Sequence, residues 1–378
     1  MDRWVEATAR DLVRHAAREL DALVGVSSQS GDSRGAEEAL AVCSALLPAE
    51  VEIERPPCSS PGYADDLIAT LRGTGEKRVL LIGHVDTVVA TDEHRPLERK
   101  DGRLIGSGTI DMKGGVVFAL GIMRALASLP EHYAELTLLL VTDEEWRTHG
   151  LSHAERFAGF DGCLCFEAGQ RGPSGDEGVI VRRKAAGTLR VEARGVSAHS
   201  GSAPDKGRNA LLALAAAAQH VADCHEPRGK DKLSAVPTIM NSGEAFNVVP
   251  SGGELYCDLR ANTLTAFDRV IDAVPEQVGG AKLNPSLVRQ WPGMDALDAT
   301  RDLLQAASDR LGRTLLGLQR GGASDASHMA QHVALTVDGL GPRGGGAHNP
   351  DEYVLEESIE PRAQVALSLV AALLGIEG

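Results

Sequence analysis

The apolar residues follow two different periods along the chain. Residues 2–24 repeat them at helical spacing, and Arg34–Leu47 does so again after the polar loop VSSQSGDS. VEIERP, DLIATLRG and KRVLLIGHVDTV read as strands, and a helix is predicted from about Val116 to Leu129. ELTLLLVTDEE and FDGCLCFEAG are apolar runs that end in acids. Fully apolar strands alternating with helices predict a sheet buried on both faces.

The pattern changes after about Ala185. TLRVEARG is a predicted strand, RNALLALAAAAQHVAD a helix, VPTIMNSG and GELYCDLRA strands, TAFDRVIDAV a helix and PSLVRQW a strand. That β-α-β-β-α-β order is the ferredoxin-like one. From about Pro292 the α/β character returns, with helices near 298–311 and 356–375. The expected organisation is a discontinuous α/β domain, 1–185 and 292–378, with an α+β domain, 186–291, inserted in it. GPRGGG at 341–346 reads as a flexible loop.

Composition narrows the picture. The chain has 378 residues, 43% of them hydrophobic, so a large core is available. No apolar stretch reaches the roughly 18 residues of a membrane span. The charged start MDRWVEATARDL does not fit a secretory leader, so a cytoplasmic location and no membrane partner are expected. The net charge of -15 argues against nucleic acid as a partner. Six scattered cysteines suit reduced thiols better than a disulfide framework.

Candidate chemistry sits where the strand-like runs end. In open α/β sheets, sites form beyond the carboxyl ends of strands. His84 and Asp86 are two apart in GHVDT, so on a strand they share a face. Asp86 is placed to hold the second ring nitrogen of a metal-binding His84. Asp111 precedes two glycines where a helix begins, and a plain N-cap is its alternative. Glu144 and Glu145 close an apolar strand. One can bind metal while the other takes a proton from water, although a solvated acidic turn is the bland reading. Glu167 follows CLCF, and His348 lies in a glycine loop. Imidazoles with carboxylates suit Zn2+, Mn2+ or Co2+.

In order, GHVDTV, GSGTIDMKGG, TDEEW, FEAG, GVSAHSG, GEAFNVVPSGGELYCDLR, GGASDA and AHNPDEYV span nearly the whole chain. This series resembles the metallopeptidases that include glutamate carboxypeptidase, acetylornithine deacetylase, succinyl-diaminopimelate desuccinylase and aminoacylase. The resemblance implies a zinc-peptidase-like catalytic domain, with a mixed sheet covered by helices, and a ferredoxin-like lid that dimerises. It implies two divalent ions per subunit, zinc first and cobalt or manganese as alternatives. Asp111 would bridge them, His84 and Glu167 completing one site, Glu145 and His348 the other. Asp86 would orient His84, and Glu144 would be the general base. His199 would reach the partner subunit's site to stabilise the oxyanion, and Asn247 and Arg260 would hold the substrate and its carboxylate. A loop histidine, a turn asparagine and an Arg260–Asp258 ion pair are the structural alternatives.

Glu at position 167, AHNPDEYV and the Arg182-Arg183-Lys184 run lean towards glutamate carboxypeptidase-like members. The expected reaction is release of a C-terminal amino acid, an acidic one among the options, from a small peptide or N-acyl conjugate. An N-acyl amino acid deacylase is the alternative, and a dipeptidase a more distant one. Arg182, Arg183 and Lys184 are candidates for binding a side-chain carboxylate. GGASDA is open between lining the substrate and starting a helix with Ser324 or Asp325 as cap.

Overall fold

The computed structural model describes residues 1–377. The chain divides into two compact units: Met1–Arg182 with Asp295–Arg320 and Ser324–Gly378, and Arg183–Met294 with Gly321–Ala323.

The first unit is built on a six-stranded sheet. Its order is Glu52–Glu54, Leu67–Arg72, Glu135–Val141, Arg78–His84, Gly162–Cys165 and Thr336–Val337. The first two pairings are antiparallel and the remaining three parallel, so the sheet is mixed. Six of the seven residues of Arg78–His84 and of Glu135–Val141 are buried, as their largely apolar sequence requires. Because these strands run parallel to Gly162–Cys165, their carboxyl ends emerge at one edge. Register places His84 opposite Val141, and Ile82 opposite Cys165.

Helices Arg3–Val24, Gly114–Leu126 and Glu356–Leu374 pack together and contribute to the same core. Asp2 caps the first, accepting from the amides of Trp4 and Val5. The second helix begins at Gly114 rather than Val116 and ends at Leu126. Gly115 explains the early start: a Cβ there would lie 1.8 Å from the Phe166 carbonyl oxygen. Only a glycine lets the helix approach the strand end that leads into Glu167.

GPRGGG is not the free loop expected from its composition. Gly344–Gly345 pairs antiparallel with Tyr353–Val354 in a small sheet that includes Arg103–Ile105 and Glu98–Lys100. The Gly341 amide donates to the Glu167 carbonyl at 2.8 Å, and the Arg343 amide to Ser358 Oγ at 2.9 Å. Glycine serves close approach here, since a Cβ at Gly344 would sit 1.8 Å from the Tyr353 carbonyl oxygen.

The second unit carries the β-α-β-β-α-β order with one short extra strand. Its antiparallel sheet runs Ser234–Ser242, Gly252–Ala261, Ala185–Arg194, Ala281–Trp291, Gln277–Val278, with helices Ala210–Asp223 and Asp268–Ala273. The last long strand starts four residues before Pro285. Past Leu283 it has a partner strand on one side only, where a proline is tolerated.

All six cysteines are free thiols, with Cys58 and Cys224 half-buried and the other four buried. Among the described residues no helix is long and apolar enough to cross a membrane.

Leu138 is fully buried in the central sheet. Leu138→Ala is expected to destabilise the first unit by about 2–5 kcal/mol. A thermal melt that does not move relative to wild type would contradict this placement of the core.

Candidate metal centre

His84 ends its strand with 1% of its surface exposed. Its Nδ1 lies 3.0 Å from the Asp86 carbonyl oxygen and 3.3 Å from Asp86 Oδ1. That contact places a proton on Nδ1 and turns Nε2 towards Asp111 Oδ1 at 3.3 Å and Glu167 Oε1 at 3.8 Å. Asp86 does more than orient the ring. Its fully buried Oδ1 and Oδ2 accept the backbone amides of Glu144 at 3.2 Å and Glu145 at 3.1 Å. Nothing in the sequence signalled this second task, because it depends on how neighbouring parallel strands align.

Asp111 does not cap the following helix. It leaves helical dihedrals (φ -125°, ψ 89°) inside the turn Thr109–Lys113, and no side chain caps Gly114–Leu126. Its second oxygen, Oδ2, faces His348 Nε2 at 3.2 Å, and that nitrogen is 3.4 Å from Glu145 Oε2. His348 adopts φ 68°, a left-handed conformation that costs a non-glycine residue roughly 1–2 kcal/mol. The turns closed by Asn349 N to Gly346 O and Glu352 N to Asn349 O hold it there.

The electrostatics separate these acids. Burial opposes ionisation of Asp111, but hydrogen bonds from His348 and His84 outweigh it and hold its carboxyl well below the usual range. Burial, reinforced by Asp325, Glu145 and Glu167, pushes Glu144 well up. Glu145 is also raised, by burial first and then by Asp111 and Asp86. Hydrogen bonds to Asp111 and Glu145 bring His348 up to about 10. Burial works against a charged His84, yet Asp111 and Asp86 hold its pKa well above the ordinary value.

This donor set fits a divalent cation. Two donors about 2.0–2.1 Å from one tetrahedral ion lie about 3.3–3.4 Å apart. The separations here are 3.3 and 3.8 Å in the group His84, Asp111 and Glu167, and 3.2 and 3.4 Å in the group Asp111, Glu145 and His348.

The structure thus brings His84, Asp86, Asp111, Glu144, Glu145, Glu167 and His348 together in the first unit. His199, Asn247 and Arg260 belong to the second. There His199 is exposed, and its Nδ1 accepts the amides of Gly201 at 3.1 Å and Ser202 at 3.2 Å. The Asn247 carbonyl accepts the Ser200 amide at 3.0 Å, so the two sequence segments run side by side. Arg260 Nε and Nη2 bind Asp258 at 3.0–3.2 Å, the ion pair weighed as its alternative. Arg182 bonds Asp295, Arg183 the Gly322 carbonyl and Lys184 the Lys232 carbonyl, so all three have internal partners.

Two buried groups beside Asp111 were not singled out from sequence. Lys113 Nζ donates to the Val26 carbonyl at 2.8 Å, and burial lowers its pKa to about 8. Glu352 accepts the Gly108 amide, and burial raises it to about 8. DMKGG and PDE contain both, but only the fold reveals that each is enclosed.

A mixed α/β sheet with clustered imidazoles and carboxylates at its strand ends defines a metal-dependent hydrolase. The family model of peptidase family M20/M25/M40 matches residues 80–372, and the chain belongs to that family. It is 26% identical over 376 residues to carboxypeptidase G2 of Pseudomonas sp. (strain RS-16), covering 94% of this chain and 88% of that one. It is 30% identical over 340 residues to succinyl-diaminopimelate desuccinylase of Xanthomonas campestris pv. campestris (strain 8004), covering 83% and 88%. In fold it is similar to aminopeptidase PepT from Bacillus cereus, at TM-score 0.76 and 21% identity over 96% of this chain and 98% of that chain. An M20 family metallo-carboxypeptidase from Sulfolobus solfataricus aligns at TM-score 0.73 and 15% identity, covering 96% and 99%.

A proton and a divalent cation compete for the same lone pairs on His348 and His84. With His348 raised to about 10, cation binding at neutral pH must expel protons. Apparent affinity is therefore expected to climb with pH from neutrality towards about 10, by about tenfold per unit for each proton expelled. Calorimetry of metal binding in two buffers of different ionisation enthalpy tests this. Heats independent of the buffer would contradict it.

Proposed function

We propose that this chain is a dinuclear metal-dependent exopeptidase that releases a C-terminal amino acid from a small peptide or N-acyl conjugate. The observation that carries the reading is the position of Asp111, whose two oxygens each face a different histidine. That arrangement supports Asp111 as the bridge, His84 and Glu167 as ligands of one ion, and Glu145 and His348 as ligands of the other. The donor chemistry favours zinc, with cobalt or manganese able to substitute.

Divalent ions held by these residues would supply Lewis acidity that polarises the amide carbonyl and acidifies water. Glu144 takes a proton from the attacking water. As the C–N bond breaks, it delivers that proton to the leaving amine nitrogen. Its raised pKa suits a group that must both accept and donate. Asp86 keeps His84 in one tautomer and holds the turn bearing Glu144. In the second unit, the acceptor role of His199 Nδ1 leaves its proton on Nε2, a donor for a developing oxyanion. Asp258 occupies one edge of the Arg260 guanidinium and leaves Nη1 for a substrate carboxylate.

The second unit also supports a homodimer. Leu211 and Leu212 on its helix, and Val236, Ile239 and Met240 on its edge strand, are exposed apolar side chains. A long edge strand with such residues is a template for pairing with a second copy.

Likeness to a desuccinylase favours a second reading, an N-acyl amino acid deacylase. Steady-state rates on folyl- and peptidyl-glutamates against N-acetyl and N-succinyl amino acids separate the two. Turnover confined to the N-acetyl and N-succinyl substrates would overturn the first.

Glu144→Gln should keep its metal and lose about 10²–10⁴-fold in kcat. Near wild-type turnover by the metal-loaded variant would remove Glu144 from the base role. His199→Ala should also be impaired. Mixed with Glu144→Gln protomers, it should regain activity if His199 serves the partner's site, and an unchanged rate would argue against action across the dimer.

A further inference from the structure

Glu144 has an exacting task and little to hold its side chain. Among the described residues its carboxylate accepts no hydrogen bond, whereas Glu145 is met by His348. The aim of Glu144 therefore depends on the turn that carries it. Asp86 grips one side of that turn through two amides.

The other side is gripped by Arg147. This arginine is 0% exposed. Its backbone amide donates to the Asp143 carbonyl at 2.9 Å and closes the turn. Its Nη1 donates to Asp143 Oδ1 at 2.9 Å, and its Nη2 to Asp325 Oδ1. Asp143 and Asp325 are themselves buried, and Asp325 opens the short helix Asp325–Met329. Neither Ser324 nor Asp325 caps that helix: Ser324 Oγ donates to Asp338 Oδ2 at 2.6 Å, and Asp325 serves Arg147.

A backbone bond alone would close the turn, and a small residue would supply it. Burying a guanidinium is costly unless its partners are fixed around it. The fork instead ties the turn to a helix from a distant part of the chain. Its planar geometry fixes both carboxylates at once, which a lysine ammonium cannot do.

We propose that Arg147, anchored by Asp325, is a positioning residue that fixes the aim of Glu144. This rests on the reading of Glu144 as the base. The charges of Arg147 and Asp325 both act on Glu144, so loss of either also changes the field in which it works.

The test uses the full-length, metal-loaded enzyme. Arg147→Met, Arg147→Lys and Asp325→Asn are assayed per folded molecule, with metal content measured on the same samples. Misaiming a catalytic group by about 1 Å costs about 10²-fold. Arg147→Met is therefore expected to lose about 100-fold in kcat, and Arg147→Lys and Asp325→Asn about 10-fold each. KM should stay within about threefold and metal content should not change. Arg147→Met/Asp325→Asn should be no worse than Arg147→Met alone, because both cut one tie.

If Arg147→Met does not fold, the other two single variants decide. The inference is overturned if their kcat stays within about twofold of wild type. It is equally overturned if KM rises while kcat holds, or if activity falls only in proportion to metal. A fully active Glu144→Gln would sink the base assignment first and take this inference with it, whereas a crippled Glu144→Gln beside unaffected Arg147 and Asp325 variants would sink this inference alone.

Discussion

The carboxylate of Asp86 is the contact on which the site's geometry depends. It is fully buried, it meets His84 Nδ1, and it accepts the amides of Glu144 and Glu145. One side chain thereby joins the ends of two parallel strands. An unsatisfied carboxylate at that depth would be costly, so the chain leaving Val141 is constrained to bring its amides there. The same constraint fixes which nitrogen of His84 faces Asp111. The alignment of adjacent strands, the tautomer of a histidine and the path of the acidic turn are thus one arrangement.

Within that frame, similar side chains acquire different characters. Glu144 is buried and Asp111 half-buried, and burial alone would raise both. Asp111 is met by two imidazoles and is driven down, while Glu144 is met by other acids and is driven up. Environments that push two carboxyl groups apart are a means of dividing labour between them. The low one remains an anion suited to a cation. The high one holds a proton more readily.

Much of the fold was legible because its sequence is locally consistent. LLIGH and LTLLLV are apolar except for His84 and Thr137 and fall in the doubly covered sheet. The β-α-β-β-α-β order could be read from alternation, since the second unit's sheet has one covered face. GPRGGG misled, because composition marks what a glycine allows and not what approaches it. Its glycines admit Tyr353 backbone, a partner chosen by tertiary structure. At the site, strand ends pointed to His84, Asp111 and the acidic pair. The amide contacts of Asp86 and the burial of Arg147, Lys113 and Glu352 left no sequence trace, because each depends on segments far apart in the chain.

The wide spacing of the clustered residues has a consequence for how the molecule is made. His84 and Glu167 precede the whole of Arg183–Met294, and His348 follows it. The Gly341 amide that bonds the Glu167 carbonyl also comes late. A ribosome must therefore release more than nine-tenths of this chain before the last imidazole can join the others. Until then the emerging polypeptide holds carboxylates without their second histidine. The order of synthesis thus sets the order of assembly, and the carboxylates of the first segment meet their second imidazole only after the whole of the inserted unit has been made.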